Sequence, residues 1–240
     1  MNFNNLEGLN EEQRKQVEQQ LEEHQHEKYE TDIDLGERKL ENFSVYPNVL
    51  RPEKMVAQSL AKYLYENRET YKEKDVLDMG CGSGIQGITM AIGGAKQVTF
   101  SDISADAIAN TKENIEKLKL KNKSTVIQGN LFENIKDKFD CIVFNHPFFP
   151  AKPLDDVLVS RTMLDEGDLL ARFLTESKNY LKEKGSIIMP YFHIAGEEND
   201  PGIQAPAFGY DVSVKLRNDV GQGVQKGLFS IFELKRKDEN

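Results

Sequence analysis

The 240-residue chain has no tryptophan, two cysteines and four histidines. Two lone cysteines exclude a disulfide framework, and so sparse a supply of Cys and His offers no metal-ligating pattern; no metal is expected. Cys81, in a glycine-rich turn, and Cys141, in an apolar run, read as small space-fillers. Also missing is any apolar run near the roughly twenty residues that a membrane span requires. The opening residues, Met1-Asn2-Phe3-Asn4-Asn5-Leu6-Glu7, show neither the basic nor the apolar part of a signal peptide. A cytoplasmic location without a membrane partner is therefore expected. A basic excess is lacking too, with 31 Lys and Arg against 40 Asp and Glu, a net charge of −9. Residues 1–44 alone hold twelve acids and five bases, which leaves the remainder nearly neutral. The charge thus excludes no substrate class for that remainder.

What the chain does contain is an alternation of apolar runs and amphipathic stretches. Residues 10–28 read as a helix, with Asn10 as cap, Gln13 at the reciprocal position and a thin apolar stripe of Val17 and Leu21. So thin a stripe predicts loose docking. Residues 1–44 are read as an acidic helical extension, and residues 45–240 as the main domain. A second helix is expected to start at Arg51-Pro52-Glu53, burying Met55, Val56, Leu60, Tyr63 and Leu64. Strands are expected near 75–79, 97–101, 124–128, 139–144 and 185–190. Helices are expected from Gly84, over 104–119 with Ser104 as cap, and over 165–182. Such alternation predicts a doubly wound, mostly parallel α/β sheet. Residues 212–217 and 227–235 are separated by a polar, glycine-bearing loop and predict an antiparallel C-terminal hairpin.

Glycines mark the chemistry. The run Asp75-Val-Leu-Asp78-Met-Gly80-Cys81-Gly82-Ser-Gly84-Ile-Gln-Gly87 carries a strand into a tight turn and then a helix. Glycine lets the backbone adopt positive φ and approach a ligand, and the N–H groups of the new helix face the turn. Two templates fit. Gly82-x-Gly84-x-x-Gly87, with Asp102 twenty residues beyond Gly82, matches a dinucleotide fingerprint. Asp78-x-Gly80-x-Gly82-x-Gly84 resembles motif I of the class I methyltransferases that use S-adenosylmethionine (SAM).

A second motif favours the latter. After the apolar run Phe139–Phe144 stands Asn145-His146-Pro147-Phe148. It resembles the Asn-Pro-Pro-Phe/Tyr motif of methyltransferases acting on planar nitrogens, among them release-factor glutamine and exocyclic-amine enzymes. The resemblance covers about residues 45–235 and implies a seven-stranded sheet closed by a hairpin. SAM is the implied cofactor. The implied reaction is N-methylation of a planar nitrogen in a protein or a nucleic acid, and the sequence does not choose between these partners. A small-molecule methyltransferase and a non-catalytic SAM-binding module remain as alternatives.

Residue by residue, the resemblance implies that Asp78 reaches the methionine ammonium, directly or through water, that backbone groups of Gly80 and Gly82 line the methionyl arm, and that Cys81 and Gly84 belong to the same cofactor-binding turn. Asp102 accepts the ribose hydroxyls, Ile103 packs on adenine, and Asn130 with Leu131 lies near the adenine amine. The Asn145 side chain and the His146 carbonyl accept the substrate N–H bonds, Pro147 keeps position 146 extended, and Phe148 packs on the acceptor. His146 stands where the family usually has Pro. A general-base role for its ring is a second reading.

Overall fold

The computed structural model describes residues 6–155, 157–220 and 226–237. Helix α1 (Glu11–Glu23) begins with the expected reciprocal cap: Asn10 accepts from the Gln13 N–H at 2.9 Å, and Gln13 accepts from the Asn10 N–H at 3.0 Å. Strands β1 (Tyr29–Asp34) and β2 (Lys39–Val45) then form an antiparallel hairpin turned at Gly36. The acidic segment is therefore helix plus hairpin rather than helical throughout, because Thr31, Ile33, Phe43 and Val45 bring strand-type side chains that one-sided burial in a hairpin suits.

Nor does this segment dock loosely. Leu6, Val17 and Leu21 are fully buried in one core, while Ile33, Leu35, Leu40 and Phe43 are buried in the other. Glu113 fastens the hairpin further, accepting hydrogen bonds from Lys28, Ser44 and Tyr46. Burial pushes the Glu113 carboxyl up, but those three donors outweigh it and hold the group at about 2.

Helix α2 (Met55–Glu66) starts three residues later than expected, with Lys54 at its cap. Pro52 instead lies buried in the preceding turn, which closes through the Lys54 N–H to the Arg51 carbonyl at 3.2 Å. There follow β3 (Asp75–Met79), α3 (Ile85–Ile92), β4 (Gln97–Asp102), α4 (Ala105–Lys117), β5 (Ser124–Gln128), β6 (Phe139–Phe144) and α5 (Asp168–Glu176). Helix α5 ends before the expected 182. Leu181 already pairs with Phe139 in β7 (Leu181–Phe192), a strand longer than the segment 185–190. Strands β8 (Tyr210–Val220) and β9 (Gly227–Arg236) form the expected hairpin; residues 221–225 of its loop lie outside the described residues.

The sheet runs β5-β4-β3-β6-β7-β9-β8, parallel through β7, with β9 antiparallel to β7 and β8 antiparallel to β9. Successive residues of β3 face opposite layers: Leu77 and Met79 join the core with α1 and α5, and Val76 joins the core with α2 and α3. The chain moves outward from β3 through β4 to β5, then returns to place β6 on the other flank of β3. That reversal brings the carboxyl ends of β3, β4 and β6 together, at the switch point where open α/β sheets bind ligands. Among the described residues no helix is long and apolar enough to cross a membrane.

Candidate active site

The turn after β3 needs glycine at three alternate positions. Gly80, Gly82 and Gly84 have φ of 61°, 53° and 85°, where a Cβ is strained. Gly84 caps α3 but brings no side chain to satisfy the helix N–H groups. Asp78 performs that task from β3, accepting the Gly87 N–H at 2.8 Å. Gly87 is fixed by packing, since a Cβ there would lie 2.3 Å from the Phe100 ring.

Asp102 ends β4 beside this turn. One carboxylate oxygen accepts the Gly82 N–H and the other the Ser104 N–H, both at 2.9 Å. One side chain thus ties the glycine turn to the start of α4. A carboxylate has about four lone-pair sites, so Asp102 retains capacity for a ligand hydroxyl beside its backbone donors. Burial pushes the Asp78 carboxyl well above the usual range and raises that of Asp102.

Two cavities meet at Asn145. The larger, about 450 Å³, lies over the strand ends. Of the expected cofactor residues, Gly80, Cys81, Gly82, Asp102, Ile103, Asn130, Leu131 and Asn145 line it, as does Pro147. Ile103 is 60% exposed, an apolar platform held open to the cavity. Leu131 has φ of 50°, a left-handed backbone in a non-glycine residue, the kind of local strain that concentrates at functional sites. Asp78 and Gly84 line neither cavity. Asp78 is buried behind the turn, where it caps α3.

The smaller cavity, about 80 Å³, is lined by Asn145, His146 and Phe148 together with Gln20, Glu23 and His24 of α1. His146 is buried, and its Nε2 lies 2.8 Å from the Asn199 carbonyl. A carbonyl only accepts, so Nε2 carries the proton and donates, and Nδ1 presents a lone pair. Burial drives the imidazole down to about 4, only partly opposed by the Asn199 bond. The ring is therefore neutral near pH 7 and a weak base.

Several lining residues were not singled out from sequence. Val49, Leu50 and Pro52 of the turn before α2, and Leu158 and Arg161 of the segment after the Asn145 motif, close the larger cavity. The first group lies at or just before the expected helix start at Arg51-Pro52-Glu53, and the second consists of isolated side chains in a loop, so neither carries a motif.

A doubly wound sheet with a glycine turn, a strand-end acid and an asparagine at the switch point is the arrangement of a nucleotide-type ligand site. Comparison with known proteins gives the family. The family described as the methyltransferase small domain matches residues 55–194, and the chain belongs to it. A Methanocaldococcus jannaschii protein, named for protein N5-glutamine methylation, is 32% identical over 161 residues, 64% of this chain and 80% of that protein. The release factor glutamine methyltransferase of Borreliella burgdorferi is 34% identical over 113 residues, 47% of this chain but only 39% of that enzyme. A 16S rRNA N2 methyltransferase of T. thermophilus, solved with AdoMet and guanosine, superimposes with a TM-score of 0.65 at 16% identity. It covers 89% of this chain and 51% of that one, and shares the fold. The chain is a SAM-dependent methyltransferase, as its two motifs imply.

Proposed function

We propose that this chain transfers the SAM methyl group to the side-chain amide nitrogen of glutamine in a protein. The carrying observation is the smaller cavity beside Asn145. Its 80 Å³ is about half the roughly 150 Å³ that admits a benzene ring. A slender aliphatic arm ending in a carboxamide suits it better than a flat purine. The names of the two glutamine methyltransferases above point the same way.

The larger cavity fits SAM on this chain's own features. Its glycine cradle excludes side chains, the Asp102 oxygens can take hydroxyls, and Ile103 offers a flat apolar contact. SAM, when bound there, supplies an electrophilic methyl group. The chain's residues supply position. An amide nitrogen is a poor nucleophile because its lone pair is delocalised into the carbonyl. The Asn145 side-chain oxygen accepts one amide N–H and the His146 main-chain carbonyl the other, which turns the nitrogen face toward the cofactor side. Fixing that orientation is the main contribution, as in other reactions accelerated by alignment. Phe148 and Phe149 exclude water from the arm. The proton displaced from nitrogen passes to water, since neutral His146 is a weak base.

Incubation with methyl-labelled SAM and fractionated lysate tests the substrate. Label should survive nuclease, yield to protease and map to glutamine. Label released by nuclease would overturn the protein-substrate reading.

A further inference from the structure

A carboxamide entering the smaller cavity has two polar ends, and only its nitrogen has partners there. Its N–H bonds meet the Asn145 side chain and the His146 carbonyl, whereas its oxygen needs a donor. Most donors in the cavity wall are already engaged. Thr162 gives its hydroxyl proton to the Val159 carbonyl at 2.6 Å. His24 gives its Nδ1 proton to the Gln20 main-chain carbonyl at 2.7 Å, and burial drives its imidazole down to about 4, so Nε2 is a bare acceptor. Arg51 pairs with Glu53 at 2.8 Å and Lys54 with Glu23 at 2.9 Å. Gln20 differs from all of these. It lines the same 80 Å³ cavity as Asn145, is half-buried, and its side-chain amide has no partner among the described residues. The helix behind it is fixed in place: Val17 and Leu21 are fully buried, and Gln13 Nε2 donates to the Ala195 carbonyl at 2.9 Å.

We propose that Gln20 is a specificity-determining residue whose side-chain N–H donates to the amide oxygen of the incoming glutamine, opposite the acceptors that hold the nitrogen. This rests on the glutamine reading above and deepens it. The site then matches a carboxamide at both ends, with acceptors facing N–H and a donor facing C=O. A carboxylate would meet the two acceptors with bare oxygens. Gln20 lies outside residues 55–194, the part that the family matches, so α1 adds to that domain a contact of this chain's own. The contact acts on binding rather than on the barrier. As the nitrogen lone pair turns toward the methyl group it withdraws from the carbonyl, and the oxygen becomes a poorer acceptor. The bond is therefore stronger before the reaction than during it.

Two substitutions of similar size test this. Gln20→Glu puts an acceptor where the donor stood, and Gln20→Met keeps the length and removes both polar atoms. Methyl transfer to a set of acetylated, amidated peptides with one central glutamine gives KM and kcat. Calorimetry with S-adenosylhomocysteine reports the cofactor site, and the urea midpoint reports the fold. Gln20→Met should raise the peptide KM about three- to tenfold, the worth of one neutral hydrogen bond, and Gln20→Glu roughly ten- to a hundredfold. In both, kcat and S-adenosylhomocysteine affinity should stay nearly unchanged. An unchanged KM in Gln20→Glu, or a loss carried by kcat alone, overturns the proposal. So does a raised KM accompanied by lost S-adenosylhomocysteine affinity and a lower urea midpoint, which would make Gln20 a structural residue. A larger rise in Lys54→Met than in Gln20→Met would give the oxygen to that ammonium and overturn it as well. Wild type incubated with SAM and no peptide supplies one more check, because a methyl group found on Gln20 itself would make it a substrate instead of a donor. Failure of wild type to methylate any of the peptides overturns the glutamine reading and this proposal together, whereas methylation at an unchanged KM in both variants overturns only the role of Gln20.

Discussion

Leu21→Ala decides whether α1 belongs to the folded core of the enzyme. Leu21 is fully buried, in one cluster with Val17 and Leu6 and with Phe148 and Phe149 of the site. Truncating a buried leucine removes its transfer free energy and leaves a cavity, together about 2–5 kcal/mol. Against a total stability on the order of 5–15 kcal/mol, that is a large fraction. With a urea m-value of about 3 kcal/mol per M, the unfolding midpoint should fall by about 0.7–1.7 M at unchanged m. Ile203→Ala, at a position 49% exposed, is the control and should shift the midpoint little. A Leu21→Ala change below about 0.5 kcal/mol, the range of surface substitutions, would refute the reasoning. Helix α1 would then be the loosely docked extension that its two apolar residues suggest. The result bears on the chemistry, because Gln20, Glu23 and His24 of the same helix wall the smaller cavity.

Asn145→Ala should leave S-adenosylhomocysteine affinity nearly intact in calorimetry while turnover falls about a hundredfold or more, since the lost contact is specific to the aligned nitrogen. Wild-type turnover in that variant would sink the planar-nitrogen mechanism. Asp102→Ala frees the Gly82 and Ser104 N–H groups and removes the acceptor for ligand hydroxyls. Cofactor affinity should drop by about 1.5–3 kcal/mol, the worth of a hydrogen bond to a charged group, and an unchanged calorimetric Kd would place the ribose elsewhere. Glu113, held at about 2 against an ordinary 4.5, stabilises the fold fully above pH 4.5. Because its folded pKa is depressed, that contribution is lost as pH falls from about 4.5 toward 2. Urea unfolding at pH 6 and pH 3 should show wild type losing more stability than Glu113→Gln, and equal losses would contradict the network.

Most of the sheet was legible because its signals are local. The central strands β3 and β6 are short, mostly apolar runs, Ser104 caps α4 as expected, and the hairpin follows from two runs with no helix between them. Boundaries set by tertiary pairing were not legible. Leu181 continues a helical stripe in sequence, yet its pairing with Phe139 makes it strand. The N-terminal segment departs from its sequence pattern for a related reason. Its apolar residues are few, and what matters is that nearly all of them, from Leu6 to Phe43, are buried. Counting a stripe measures how much apolar surface a helix offers, whereas docking depends on how completely its neighbours cover that surface.

The site divides along the same line. Glycine positions are readable because a positive φ constrains residue type directly, and Asn145 is readable because a motif fixes its place at a strand end. The direction in which a buried carboxylate points is not encoded that way. Asp78 and Asp102 look alike in sequence, one acid at the end of each of two adjacent strands. Gly84 leaves α3 without a side-chain cap, and the nearest acid that can replace it is Asp78, one turn behind the glycines. Serving as that cap keeps Asp78 behind the turn, while Asp102, together with Asp106 of α4, lines the cavity. The glycine that opens the turn therefore also decides which of the two acids is spent on capping the helix and which faces the cavity.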